Sequence, residues 1–194
     1  MEILVLWEEG FPFVDTCAVT QPDLKSLAGE GDTLRYLGTK EIAGALHPTT
    51  TLLVTPYGSA FPKEAWSALY AFLDAGGRWL NLGGSPLSRP VRRNLDGSWH
   101  IETSQTAFTK ELLINQAFPV SGTGTVLQSA GAWSDVPTST LNLSYTHAWT
   151  LQPRFTDTRD FDHEHGTSGS RDAKIETLLY GMQENRPITA PIVS

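Results

Sequence analysis

The side chains with chemical potential gather at a few places along this chain. One is Leu82-Gly83-Gly84-Ser85-Pro86. A sharp turn after a parallel strand exposes its central side chain at the sheet edge, beside free N–H groups, which is how many hydrolases present a nucleophile. Here the central positions are Gly84, which has no side chain to act with, and Ser85, whose neighbour Pro86 removes one N–H from any oxyanion hole. A serine nucleophile also needs a histidine base, and the spacing places none. The passage reads as a tight turn that requires glycine.

Asp160-Phe161-Asp162-His163-Glu164-His165 puts two histidines and three carboxylates within six residues. Such donors suit zinc or a harder cation. His163 and His165 are two apart, however, which on a helix points them away from each other, and the pattern is not His-Glu-x-x-His. With Gly166 and Gly169 following, the segment reads as a solvated loop, and no metal is expected.

Glu8 and Glu9 end an apolar run. Paired carboxylates can hydrolyse a glycosidic bond when they flank it, but neighbours on a strand face opposite ways, so these two cannot share one bond. Glu8 is left as a single carboxylate lining a loop, and Asp15 reads as a loop cap. Tyr57, Gly58 and Ser59 follow a strand break, where backbone N–H groups at a helix start could hold an anion. Six tryptophans invite stacking on sugar rings; Trp7, Trp66 and Trp79 fall on core elements, whereas Trp99, Trp133 and Trp149 are open to either role. The candidate ligand-contacting set is therefore Glu8, Tyr57, Gly58, Ser59, Gly84 and Ser85, with no catalytic residue and no cofactor.

The elements that must position these residues are regular over the first 90 positions. Residues 3–7 form a continuous apolar run, as in a strand covered on both faces. A short helix is expected over 22–27 and a second strand over 33–37, after which Thr39 caps a short helix carrying Ile42, Ala43 and Leu46. Residues 51–55 make a β-branched strand that breaks at Pro56-Tyr57-Gly58. Pro62 suits a first helical position, and Trp66, Leu69, Tyr70 and Leu73 recur on one helix face. Gly76-Gly77 ends that helix before a strand over 78–82. Strands alternating with helices predict a parallel sheet, whose ligands collect at the carboxyl ends of its strands. Three loops would meet there, at residues 8–15, 56–61 and 83–89.

The second half is less regular. Asn94-Leu95-Asp96-Gly97 turns a small hairpin that carries His100 and Glu102. Residues 109–117 suit a helix, and 119–145 suit loops with short strands. Trp149, Leu151 and Phe155 alternate as in an antiparallel strand. Asp172 caps a helix with the stripe Ile175, Leu178, Leu179 and Met182, and a closing strand completes the chain. These readings give one domain over 1–194: a regular core over 1–90, an irregular insertion over 91–170, and a closing helix and strand over 171–194.

At 194 residues with 40% hydrophobic content the chain can bury a full core, and a charged fraction of only 18% argues against disorder. A net charge of −7 with scattered basic residues repels a phosphate backbone, which excludes nucleic acid as a partner. No apolar run is long enough for a membrane span, and no signal peptide is present. Cys17 is the sole cysteine, so no internal disulfide or multi-cysteine zinc site can form. Met1 enters a strand at once and residues 189–194 stop in an apolar stretch, so the chain is expected to be a piece of a longer polypeptide.

Residues 51–62, running through Gly58-Ser59-Ala60-Phe61-Pro62, together with residues 71–84, ending in Gly83-Gly84, resemble the middle of class I glutamine amidotransferase-like domains. The likeness is closest to variants fused to bacterial glycoside hydrolases, including the domain that trimerises some β-galactosidases, and it covers residues 1–90. The resemblance implies a three-layer, flavodoxin-like parallel sheet, with an antiparallel, loop-rich second half. Active members place a cysteine in the elbow that residues 83–86 occupy here, with a His-x-Glu pair far downstream. Cys17 lies in the first loop instead, and the one His-x-Glu here, His100-Ile101-Glu102, follows the elbow too closely. The implied function is a non-catalytic module of a multidomain, carbohydrate-active protein, with other domains of its own chain, a second copy or a carbohydrate as partners, and a periplasmic or secreted setting. The alternative is a hydrolase acting on a sugar or amide through Glu8, Ser85 or the 163–165 loop.

Overall fold

The apolar run at the start of the chain becomes strand β1 (Glu2–Leu6), in which Ile3, Leu4, Val5 and Leu6 are each 0% exposed. Successive side chains of a strand point to opposite faces, so full burial of all four requires cover on both sides. Parallel neighbours flank it: β2 (Thr33–Leu37) on one side and β3 (Thr51–Thr55) on the other. A short strand, β4 (Ala60–Pro62), then leaves for a second sheet, and β5 (Arg78–Asn81) pairs in parallel beyond β3. The first sheet is thus four parallel strands in the order β2-β1-β3-β5.

The computed structural model describes residues 1–49, 51–84, 86–105, 107–110, 126–140, 149–150 and 177–193. The chain divides into two compact units, Met1–Phe108 and Thr109–Ser194. The first ends beyond residue 90 because a second, three-stranded sheet belongs to it. There β4 pairs in parallel with β6 (Arg89–Arg93), which pairs antiparallel with β7 (Trp99–Ile101). The expected hairpin turn is present: Gly97 takes φ +85 and its N–H donates to the Asn94 carbonyl.

Helices bury both faces of the parallel sheet. On one, Ile3, Val5 and Val54 pack with Leu24 of α1 (Gln21–Leu24) and with Leu27 of the adjoining 3₁₀ turn. The start of α1 is fixed by Asp23, whose carboxylate accepts from the Thr20 N–H (2.8 Å) and hydroxyl (2.7 Å). The other helices, α2 (Ile42–Ala45) and α3 (Trp66–Asp74), bury Ile42, Leu69 and Phe72. Two local expectations shift. Thr39 does not cap α2, whose N-cap is Glu41, because its hydroxyl is drawn to the Glu8 carboxylate. Pro62 ends β4 rather than starting a helix, and a 3₁₀ turn over Lys63–Ala65 precedes α3. That helix closes its unit by packing Trp66, with Phe61, against Phe108 of α4 (Ala107–Lys110).

The second unit is built on an antiparallel sheet. Its strands are β8 (Val126–Ser129), β9 (Trp149–Thr150), β10 (Thr177–Gln183) and β11 (Arg186–Val193), in the order β8-β10-β11-β9. The closing helix expected through Leu178, Leu179 and Met182 is therefore a strand. Its spacing fits either period, and the arbiter is the two-residue turn after it, Glu184-Asn185, with φ of +49 and +61. Positive φ at both positions is what a tight hairpin demands, and a helix cannot cross it. Irregular register between β10 and β11 goes with Pro187 and Pro191, which have no N–H to give to the ladder. The expected continuation of the helix at 109–117 beyond Lys110, Leu151 and Phe155 of the alternating segment, and Asp172 with Ile175 lie outside the described residues.

Leu4→Ala removes a wholly buried side chain from a central strand, and urea unfolding should show a loss of about 2–5 kcal/mol. Leu80→Ala, on edge strand β5 where the side chain is 36% exposed, should lose less than about 1 kcal/mol.

Candidate functional site

The three expected loops do converge at the carboxyl ends of the parallel strands, and they converge on each other. Tyr57 holds the first contact. Its ring, 1% exposed, packs against Phe11 (centroids 4.6 Å apart), Phe13 (4.8 Å) and Trp7 (6.2 Å). Its hydroxyl accepts from the Glu8 N–H (2.9 Å) and donates to the Glu8 carbonyl (3.2 Å). Burial, reinforced by the Glu8 charge, pushes the phenol up to about 12, so the hydroxyl stays a neutral hydrogen-bonding group at any ordinary pH. Tyr57 is a structural pin between the first and third strand ends, not a side chain open to a ligand.

Beside it, three loops approach one another closely at glycine positions. The Val14 N–H donates to the Tyr57 carbonyl (3.2 Å) and the Ser59 N–H to the Val14 carbonyl (2.9 Å), a single parallel bridge between Val14 and Gly58. A Cβ on Gly58 would fall on the Val14 carbonyl oxygen, and one on Gly84 on the Ser59 nitrogen, 2.6 Å from Ser59 Oγ. A Cβ on Gly83 would meet the Thr16 hydroxyl, which itself donates to the Leu82 carbonyl (3.1 Å). Ser59 is 0% exposed, and its hydroxyl donates to Asp15 Oδ2 (2.7 Å). Gly58, Gly83 and Gly84 thus each lie too close to a neighbour to carry a Cβ.

Of the backbone N–H groups expected to hold an anion, that of Ser59 donates to the Val14 carbonyl; that of the neighbouring Ala60 goes to the Tyr57 carbonyl, and the next element along the chain is β4 rather than a helix. The approach of β5 to the junction is set by a relay: Trp79 Nε1 donates to Thr55 Oγ1 (2.7 Å), Thr55 Oγ1 to Asn81 Oδ1 (2.8 Å), and Asn81 Nδ2 to the Gly83 carbonyl (2.6 Å).

Glu8 sits on the other side of Tyr57. Its Oε2 accepts from the Thr39 N–H (2.8 Å) and hydroxyl (2.9 Å), and its Oε1 lies 3.4 Å from Arg93 Nη1. Arg93 lies over the Trp99 ring (5.3 Å), which packs edge-on against Phe11 (5.0 Å). Glu8 is therefore a tether for the β6–β7 hairpin, and Trp99 packs at its base. Glu9 lies exposed. In the hairpin, Glu102 of the His-x-Glu pattern binds Lys63 (2.7 Å), whose ammonium holds its carboxyl below the usual range, while His100 is exposed.

Of the six candidates, Glu8, Tyr57, Gly58, Ser59 and Gly84 belong to this one region, and Ser85 lies outside the described residues. So do residues 160–165, and among the described residues no group of three or more His, Cys, Asp or Glu side chains is placed to hold a metal ion. Cys17 is exposed in the first loop. Among the described residues no helix is long and apolar enough to cross a membrane. The sequence reading missed Thr16, Asn81, Arg93 and the role of Asp15 as a partner of Ser59. Short polar side chains beside glycines were the available signal, but it carries no address for the partner. No protein-family model, no curated protein and no solved structure matches this chain.

Tyr57→Phe leaves the Glu8 N–H and carbonyl without their partner, and should cost about 1–3 kcal/mol in urea unfolding at neutral pH. A folded pKa raised to about 12 contributes stability that is whole below the unfolded value near pH 10 and is lost as pH rises through 12. The variant's stability should accordingly fall less steeply than the parent's between pH 10 and 12.

Proposed function

We propose that this chain is a non-catalytic module of the class I glutamine amidotransferase-like superfamily, with a flavodoxin-like core, serving a structural or interaction role in a multidomain, carbohydrate-active protein of the glycoside hydrolase-associated kind. The observation that carries the reading is the packed junction at Gly83-Gly84. Active members of that superfamily project a cysteine from the elbow that residues 83–86 occupy here, and within it Gly84 lies against the backbone of Gly58 and Ser59. Nucleophilic catalysis needs an exposed side chain with a base and oxyanion donors in reach, and here the nearby N–H of Ser59 is engaged by Val14.

The parallel order β2-β1-β3-β5, with helices on both faces, supports the fold half of this reading. The carbohydrate-active context, the further domains and a periplasmic or secreted setting rest on the resemblance of residues 51–62 and 71–84 alone. A sugar or amide hydrolase is the weaker reading, because both oxygens of the Glu8 carboxylate are held, by Thr39 and Arg93.

Incubation of the purified chain with glutamine should release ammonia only at the rate of a protein-free control. A glutamine-mimicking electrophile should leave no adduct at residues 82–88 by peptide mass mapping. Ammonia above the control, or an adduct in that turn, would overturn the assignment.

A further inference from the structure

The loop that fills the junction differs in its anchoring from the sheet beneath it. Its entry is fixed by Phe11, 3% exposed and stacked on Tyr57, directly after Gly10 at φ +73. Between Phe13 and Val19, which packs against the core of the sheet, the apolar anchoring lapses: residues 14–16 are half-exposed and Cys17 is exposed. This stretch is held by polar contacts, namely the Val14 bridge to Gly58, the Asp15–Ser59 hydrogen bond and the Thr16 bond to Leu82. Against these stands strain. Asp15 adopts φ +56, a left-handed conformation that costs a side-chain-bearing residue free energy, less for Asp than for most. Segments with few apolar contacts open locally well below the free energy of global unfolding.

We propose that residues 14–17 form a hinged strap that opens as a unit from the Gly58-Ser59 and Gly83-Gly84 turns while the parallel sheet stays folded. Phe11 and Phe13, packed on Tyr57, are its fixed end. Release of the strap relaxes Asp15, parts Val14 and Asp15 from Ser59, and opens the glycine junction further. The junction then has two states, and a ligand that binds the opened state shifts the balance by its differential affinity. The strap adds a motion to the non-catalytic reading and stands or falls separately, since its test measures no catalysis.

Native-state hydrogen exchange of the full chain reads the opening directly. The amides of Val14 and Ser59, hydrogen-bonded across the strap, should exchange faster than those of Val5 and Val54 and show little dependence on added urea. Ser59→Ala and Thr16→Val each delete one strap bond. Each should speed exchange at Val14 and Ser59 by roughly three- to tenfold, as the loss of one ordinary hydrogen bond does, relative to Val5 and Val54 in the same variant. That ratio holds even if a variant is globally less stable. Exchange of Val14 and Ser59 in step with Val5 and Val54, in the parent and in both variants, would show that the strap opens only with the whole unit and would overturn the proposal.

Discussion

Three backbones share one point in this protein, and they can do so only because residues 58, 83 and 84 carry no side chain. The approach is closer than a methyl group allows: Gly58 abuts the Val14 carbonyl, Gly83 the Thr16 side chain and Gly84 the Ser59 backbone. Close packing of this kind leaves no room for a side chain at these three positions. It also fixes where the strands can end. The first loop must fold back over the third strand, β5 must deliver Gly83 at the height of Thr16, and the chain after Ser59 must turn away, which it does by pairing Ala60–Pro62 with β6 in a separate sheet.

The polar groups around the junction are arranged as that geometry requires. Backbone N–H and C=O groups removed from water need partners, and with loops crossing rather than running alongside one another, regular ladders cannot supply them all. Side chains fill the gaps: the Tyr57 hydroxyl serves both backbone groups of Glu8, Thr16 serves Leu82, and Asn81 serves Gly83. Glu8 and Ser59 are drawn into the same duty. Each has the chemistry of a catalytic group, and each is committed to holding a neighbouring loop.

Much of the first unit was legible in the sequence. The continuous run at 3–7 and the β-branched stretch 51–55 are too short for a helix and bounded by turn residues, and the helix face through Leu69 repeats at three- and four-residue steps. The Asp96-Gly97 turn names its own conformation. The closing segment was misread because Leu178, Leu179 and Met182 satisfy a helical stripe as well as a strand, and the decision lay in the less familiar turn pair Glu184-Asn185. The boundary near residue 108 was hidden for another reason: β6 and β7 join the first unit through pairing with β4, a contact that no local pattern announces. At the site, the sequence located the loops correctly and mistook their relation. Glycine at 58, 83 and 84 reads equally as room for a ligand and as room for another backbone, and only the three-dimensional crossing distinguishes them.

Whether the junction is filled can be tested by adding a single methyl group. Gly84 and Gly76 both take positive φ, +61 and +83, so alanine at either bears the same left-handed penalty of about 1–2 kcal/mol. At Gly76 the added carbon meets open space, whereas at Gly84 it falls on Ser59. Urea unfolding should therefore show Gly84→Ala less stable than Gly76→Ala by at least about 2 kcal/mol, the size of an overpacking cost. Equal losses for the two substitutions would mean that the turn at Gly84 has room for a side chain, and would contradict a junction packed too tightly there for a Cβ.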